Sequence, residues 1–450
     1  MEQRHDIIFA SHNLLVRKRP ARDTRNWVVT FDHHGITGRF DRPGFAEEFL
    51  AARGMSMLTF LGRGNDWYQY PEMGAALAVA RAAMLGRGRV MTYGSSMGGY
   101  AAIRFADALG AHACLAISPQ YSIDPAKVPF ERRWRHDAQR IVWRRELDGP
   151  IRCEARPVII HDPIGEDGLH VRRIEAEIAC DTIALPYIAH PGTTYLQSIG
   201  ALAELVPAIL EGSFDPAEAA PRLRRLRKRD PVYLSELARR QPAWRPALGI
   251  ALARQAVDRA PGVDLMLHVL ASKLSAAGRH GEALGFHRKA CELSGDILCY
   301  ALPHALALAG AGDGEAALTR LRGLAVRHPG EAHLHHALAH ILWTMGRRGE
   351  ALAVARHVVR LAPRDPFYRA VLFEYRWPRL RFQAARAVRL LRGLRRRLGR
   401  AAQTAPFTAS RSARSIASSD APLLSRITRA AIRLTAPAAR MYSAIGRQSS

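Results

Sequence analysis

Between residues 6 and 188, seven short aliphatic and β-branched runs alternate with stretches of helical period, and after about residue 233 such runs stop. The runs are 6–10, 27–31, 55–61, 89–93, 112–117, 157–161 and 182–188. Most are nearly continuous in apolar residues, the mark of strands buried on both faces. Helical segments fall between them at 45–53, 71–85, 97–109, 169–179 and 194–211. Strand alternating with helix in this way predicts a doubly wound, mostly parallel α/β sheet over 1–212. Residues 213–232 hold Pro216, Pro221 and an Arg-rich run, and they predict a basic linker or a charged connecting helix.

The sharpest local signal lies within 91–100, where Gly94-x-Ser96-x-Gly98 directly follows one predicted strand and directly precedes a helix. A nucleophile on a tight strand-to-helix turn takes strained backbone angles, so the positions two residues away on either side must lack bulk. Gly94 and Gly98 meet that need. The backbone N–H of Met97 then stands at the start of the following helix, where the dipole favours developing negative charge. Ser95 is read as a structural neighbour.

This elbow resembles that of the α/β-hydrolase superfamily, and the resemblance covers roughly 6–212. It implies a chain order of serine, then acid, then histidine, with a backbone-donor loop upstream. Upstream, Asp32-His33-His34-Gly35-Ile36-Thr37-Gly38 is similar to the His-Gly loop of those enzymes, which would put the N–H of Ile36 or Gly35 in the oxyanion hole. Downstream of strand 157–161 stand two acids, Asp162 at the strand tip and Asp167 after a Gly-containing turn. Asp167 occupies the usual position of the triad carboxylate, and Asp162 is the alternative. His190 follows one more strand and is the expected base. His33, His34, His161 and His170 are its rivals in other geometries.

Asn65, Asp66, Trp67 and Tyr68 follow strand 55–61, at the carboxyl edge of the sheet where ligands bind in such folds. Their mix of polar and aromatic groups suits a sugar or other polyhydroxylated substrate, or else a loop anchored by buried aromatics. The insertion 119–153 carries Arg132, Arg133, Arg135, Arg144 and Arg145. A small basic cap argues against long-chain lipid and fits an anionic or glycan-linked ester. No metal or organic cofactor is implied.

From about 233 the sequence is helical. Segments 277–284, 311–318 and 345–352 can be laid over one another, with Glu282, Glu315 and Glu350 separated by 33 and 35 residues. Pro261, Pro329 and Pro363 fall near the ends of the repeats. The pattern, covering 233–375, resembles the 34-residue tetratricopeptide repeat. Arrays of this kind stack into a concave surface that holds a peptide or partner segment, so a protein partner is expected there.

The net charge of +26 is concentrated at the end of the chain. Residues 376–450 hold 17 Arg, no Lys and one acid. Within them, 376–400 reads as an Arg-rich amphipathic helix capping the array, and 401–450 as a low-complexity basic tail. Its segment 423–434 sets Leu423, Leu424, Ile427 and Leu434 against Arg426, Arg429 and Arg433, a pattern suited to an anionic membrane surface. The tail's lack of Lys and few aromatics speak against specific nucleic-acid binding. Five cysteines without CxxC spacing argue against a disulfide framework or structural zinc and fit a reducing cytoplasm. No apolar window is long enough to span a bilayer, and the start of the chain lacks signal-peptide order. The expectation is therefore a cytoplasmic serine esterase or acyl hydrolase, with acyl transfer to another alcohol as a variant and peripheral membrane contact through the tail. The alternative is a catalytically inert hydrolase-like scaffold whose helical repeats mediate protein–protein interaction.

Overall fold

The strand following the predicted Ser96 elbow pairs in parallel with its neighbours, and so do most of the others. In a computed structural model, residues 6–21, 25–35, 38–84, 86, 88–147 and 149–377 are described. They divide into two compact units, one ending at Pro261 and the other starting at Gly262. The expected capping helix from residue 378 onward and the basic tail 401–450 lie outside the described residues.

The first unit carries β1 (Asp6–Ala10), β2 (Leu14–Arg19), β3 (Trp27–Phe31), β4 (Ser56–Gly62), β5 (Val90–Ser95), β6 (Ala113–Ile117), β7 (Val158–His161) and β8 (Asp181–Ala184). They form one sheet in the order β1-β2-β4-β3-β5-β6-β7-β8. The β1–β2 and β2–β4 pairs are antiparallel and the remaining pairs parallel. Strand β2 is absent from the sequence expectation. Its LLVRKR alternates, with Leu14 and Val16 fully buried and Arg17 turned to Glu47 at 2.7 Å, so it never reads as an apolar run.

Connecting helices are α1 (Glu47–Ala51), α2 (Met73–Ala82), α3 (Met97–Arg104), α4 (Arg135–Ala138), α5 (Glu166–Glu175), α6 (Thr193–Ser198) and α7 (Leu202–Glu211). The single helix expected over 194–211 is broken at Gly200, whose φ of 69° ends α6. Alternate strand residues such as Trp27, Val29, Phe31, Leu58 and Phe60 share a core with side chains of α2, α3 and α5. The intervening set, including Val28, Met57, Met91 and Leu115, is buried as well, and α1 packs on β4 while α7 packs on β5 and β6. Burial on both faces is why these strands are continuous in apolar residues.

Residues 213–232, expected as a basic linker or a charged connecting helix, are largely helical and folded onto this unit. Helix α8 (Pro216–Leu226) and α9 (Pro231–Arg239) each begin with an Asp cap followed by Pro, Asp215-Pro216 and Asp230-Pro231. Proline is tolerated in the first helical turn, so these residues start helices and do not mark a loop. Leu223 of α8 is fully buried, and the Tyr195 hydroxyl donates to its carbonyl at 2.6 Å. Asp230 meets Ser198, and the Tyr187 and Tyr233 rings lie 6.1 Å apart. Helix α10 (Pro246–Arg259) completes the unit.

The described residues of the second unit form helices only: α11 (Asp264–Ala276), α12 (His280–Ser294), α13 (Leu298–Gly310), α14 (Gly314–Arg327), α15 (Ala332–Thr344), α16 (Arg348–Leu361) and α17 (Pro366–Arg376). It resembles tetratricopeptide repeats. The turns within successive pairs carry Gly278, Gly312 and Gly346, each with positive φ and 34 residues from the next. Ala271, Ala305 and Ala339 repeat with the same period on the first helices, and Ala283, Ala317 and Ala351 on the second, all fully buried. Small residues at these positions let paired helices approach closely. The phase reaches back to the buried Gly249 of α10.

Buried histidines replace apolar side chains in this array. His268 stacks on Tyr300 at 4.4 Å, and His287 faces His304 at 6.1 Å. Burial lowers His268 to about 4 and His336 to about 4, and it lowers His287 to about 3 with help from neighbouring histidines. These groups stay neutral in the folded chain while the unfolded chain takes up protons below about pH 6.5. Stability of the helical unit is thus expected to fall as pH drops from about 6.5 toward 4, at up to about 1.4 kcal/mol per pH unit per histidine. Urea midpoints followed by helical circular dichroism check this, and a flat profile over that window would contradict it. For the sheet unit, Leu223→Ala is expected to cost about 2–5 kcal/mol, and a chain ended at 212 to lose native tertiary signals that one ended at 261 keeps. Near-ultraviolet circular dichroism of the two fragments decides whether α8 and α9 belong to this unit.

Candidate active site

Strand β5 is buried throughout and ends against a turn with almost no free space. Ser96 sits there at φ 55° and ψ −121°, a conformation that costs a non-glycine residue on the order of 1–3 kcal/mol. Its N–H is held by the Ile117 carbonyl at 2.9 Å. A Cβ on Gly94 would collide with the Gly98 carbonyl, and one on Gly98 would collide with the Phe31 carbonyl at the end of β3. The space demand inferred from the motif is therefore literal. Gly99 brings α3 close to Pro119, where a Cβ would lie 3.2 Å from its Cα.

The structure brings Ser96, His190 and Asp167 together. Ser96 Oγ lies 2.9 Å from His190 Nε2, and His190 Nδ1 lies 2.7 Å from Asp167 Oδ2. An ionised carboxylate only accepts, so the proton of this bond sits on Nδ1, the tautomer in which Nε2 can accept from the serine hydroxyl. Asp167 is buried in the first turn of α5, while the His190 side chain is 21% exposed. Burial alone would raise the Asp167 carboxyl, but the charges and hydrogen bonds of His190 and Arg133 outweigh it and hold the group well below the usual carboxylate range. The loop bearing His190 is tied to the strand ends: Ser95 Oγ meets Thr193 Oγ1 at 2.5 Å, and the Gly192 N–H donates to Ser118 Oγ at 3.1 Å. The role of structural neighbour read for Ser95 matches this tie.

Asp162 is not brought to His190. Its Oδ1 accepts the Ile164 N–H at 2.9 Å, which shapes the turn into α5, and its other oxygen lies 3.9 Å from Arg240. Three of the rival histidines have partners other than Ser96. His34 Nε2 meets Asp137 at 3.1 Å, His33 Nδ1 meets the His34 carbonyl at 2.8 Å, and His170 Nε2 meets Glu131 at 2.9 Å. His161 is buried, which lowers its pKa.

For the oxyanion donors, Met97 opens α3, where the first N–H groups have no partner within the helix. The Gly35 N–H is taken up by Asn65 Oδ1 at 2.9 Å, and Ile36 lies outside the described residues. Gln120 is a site residue that the sequence reading misses. Its Nε2 lies 3.3 Å from Ser96 Oγ, and it follows β6 on the same edge of the sheet. No motif marks it; only its place just past a strand end could draw attention.

Of the four expected substrate contacts, Trp67 and Tyr68 are core residues with positive φ. The Tyr68 hydroxyl donates to the Asp32 carbonyl at 3.2 Å, and Trp67 packs between His34 at 5.7 Å and Trp134 at 5.4 Å. Asn65 spends its amide oxygen on the Gly35 loop. Asp66 is half-buried, and desolvation raises its carboxyl against the pull of Arg140. The anchored-loop reading of this segment accounts for these contacts. Arg133, expected in a basic cap, is instead drawn in, its side chain 12% exposed, against Asp167 Oδ1 at 2.7 Å and Glu131 at 2.8 Å.

No protein-family profile matches the chain, and no curated protein does. Among solved structures, the chain is similar to TTC0263, a thermophilic TPR protein in Thermus thermophilus, at 22% identity over 41% of this chain and 97% of that one, with a TM-score of 0.32. It is also similar to MamA MSR-1, at 19% identity over 38% of this chain and 97% of that one, with a TM-score of 0.28. A third is YrrB, described as a TPR protein with an unusual peptide-binding site, at 15% identity over 34% and 80%, with a TM-score of 0.27.

Proposed function

We propose that the sheet unit is an α/β-hydrolase-type serine hydrolase working through an acyl-enzyme. The observation that carries this reading is the continuous relay from Ser96 through His190 to Asp167 at 2.9 and 2.7 Å. Ser96 Oγ attacks the acyl carbonyl while His190 Nε2 takes its proton. Asp167 stabilises the resulting imidazolium and keeps the ring in the required tautomer. The Met97 N–H donates a hydrogen bond to the oxyanion, and Gln120 Nε2, 3.3 Å from Ser96 Oγ, stands close enough to assist. His190 then protonates the departing alcohol, and a water or second alcohol, deprotonated by the same ring, releases the acyl group. A polar or glycan-linked ester fits the insertion, whose Arg132, Arg135, Arg144 and Arg145 leave it basic after Arg133 is spent on Asp167. The repeats would dock a protein partner.

A second reading keeps the sheet unit inert and leaves partner binding by the repeats as the function. It is favoured by the closed state of the site: Ser96 is 3% exposed, and the Gly35 N–H is already occupied. The in-phase helix pairs supply an interaction surface under either reading. The solved structures named above are repeat proteins, so the case for activity rests on geometry alone.

Turnover of short p-nitrophenyl esters separates the two. The hydrolase reading expects measurable turnover, a loss on the order of 10⁴ in kcat for Asp167→Asn, and far smaller damage from Asp162→Asn. Absence of any turnover in the full chain favours the inert scaffold, and greater damage from Asp162→Asn would move the acid to that residue.

A further inference from the structure

The segment between β6 and β7 does more than cover the site; it reaches into the triad. Asp167 has two carboxylate oxygens, and each has one partner. Oδ2 receives His190 Nδ1, and Oδ1 receives Arg133 Nη1 at 2.7 Å. Held from both sides, the carboxylate cannot rotate without breaking one of two charge-assisted bonds. The rest of the guanidinium is bound to Glu131, with Nε 3.1 Å from Oε2 and Nη2 2.8 Å from the same oxygen. The Arg133 backbone N–H donates to Glu131 Oε1 at 2.7 Å. Glu131 in turn meets His170 Nε2 at 2.9 Å, and His170 Nδ1 accepts the Tyr121 N–H at 3.3 Å. His170 lies three residues after Asp167 on α5, so the chain of contacts closes on the helix that carries the acid. Arg133 also lies over the Trp134 ring at 4.2 Å, and that ring meets the His190 ring edge-to-face at 5.4 Å.

We propose that Arg133 is a positioning residue for the triad, tying Asp167 to Glu131 so that the β6–β7 segment sets both the alignment of the acid and the acid limb of catalysis. The proposal rests on the hydrolase reading for its meaning in turnover, but the geometry it describes exists without it. One cation lies between two buried carboxylates, and both carboxyls are held low. Glu131 is lowered to about 2: burial would raise it, and the hydrogen bonds of His170 and Arg133 override that. Asp162 accepts the N–H of the neighbouring Ala189, and the titratable and charged side chains facing the Asp167–His190 pair itself are, among the described residues, Arg133, Glu131, His161 and His170. Arg133 is the only permanent cation among these four. It shares the negative charge of Asp167 that would otherwise act wholly on the imidazolium of His190. Glu131 works in the opposite sense by drawing on Arg133.

The test uses the full-length protein with Arg133→Gln, Arg133→Lys and Glu131→Gln. The pH profile of kcat/KM and the low-field proton resonance of the His190–Asp167 bridge are followed together. With the cation removed, Arg133→Gln is expected to move the acid limb up by about one pH unit. Glu131→Gln is expected to move it down. Arg133→Lys keeps the charge but not the fork, so its acid limb stays near the wild-type position while kcat falls. Should Arg133→Gln fail to fold, the direction of the Glu131→Gln shift decides alone. An acid limb unmoved in the folded variants, or moved in the reverse directions, overturns the proposal and leaves Arg133 a structural ion pair. If the wild type turns over no ester, the hydrolase reading fails, and the pH at which the bridging resonance is lost still tests Arg133 through the same shifts.

Discussion

Everything at the candidate site depends on how little room exists between the end of β5 and the start of α3. The carbonyls of Phe31 and Gly98 occupy the volumes that side chains on Gly98 and Gly94 would need. That closeness forces the chain to reverse at Ser96 with positive φ, which turns the hydroxyl toward His190 and Gln120 while leaving the residue buried. The strain is sustained because β5 lies between β3 and β6 in a sheet buried on both faces. The parallel register brings the ends of β3, β6 and β7 to the same edge, so the Gly35 loop, Gln120 and Asp167 all meet there. The triad follows from sheet topology together with one crowded turn.

The parts of this arrangement visible in the sequence are those with local causes. The elbow is legible because steric exclusion acts over two residues either side of Ser96. Asp167 and His190, by contrast, are picked out only by the chain order that the α/β-hydrolase resemblance implies. Strand β2 is hidden because only one of its faces is apolar. The break at Gly200 and the helix starts at Pro216 and Pro231 are hidden because the same residue types also occur in loops. Arg133 is misleading for a deeper reason: the charge of an arginine in the sequence says nothing about whether a carboxylate 34 residues away will draw it inside. Trp67 and Tyr68 carry the same lesson, since an aromatic pair at a strand end serves a core as readily as a ligand.

The helical unit shows the opposite balance. Its repeat is legible from turn glycines and small residues, because each pair of helices makes the same local contact with the next. The register of Gly278, Gly312 and Gly346 is more regular than that of the flanking acids Glu282, Glu315 and Glu350. The histidines within it, such as His268 and His287, depart from the apolar pattern. They keep their rings neutral through burial, and the same burial makes the unit sensitive to acid.

The central claim is that Ser96 is an activated nucleophile and not a strained residue inherited by a scaffold. A fluorophosphonate probe, which forms a covalent bond only with a serine oxygen made reactive by its base, tests this without any knowledge of the substrate. The account expects the full-length protein to be labelled at Ser96 and Ser96→Ala to be unlabelled. An unlabelled wild type, or equal labelling of the two, would contradict it.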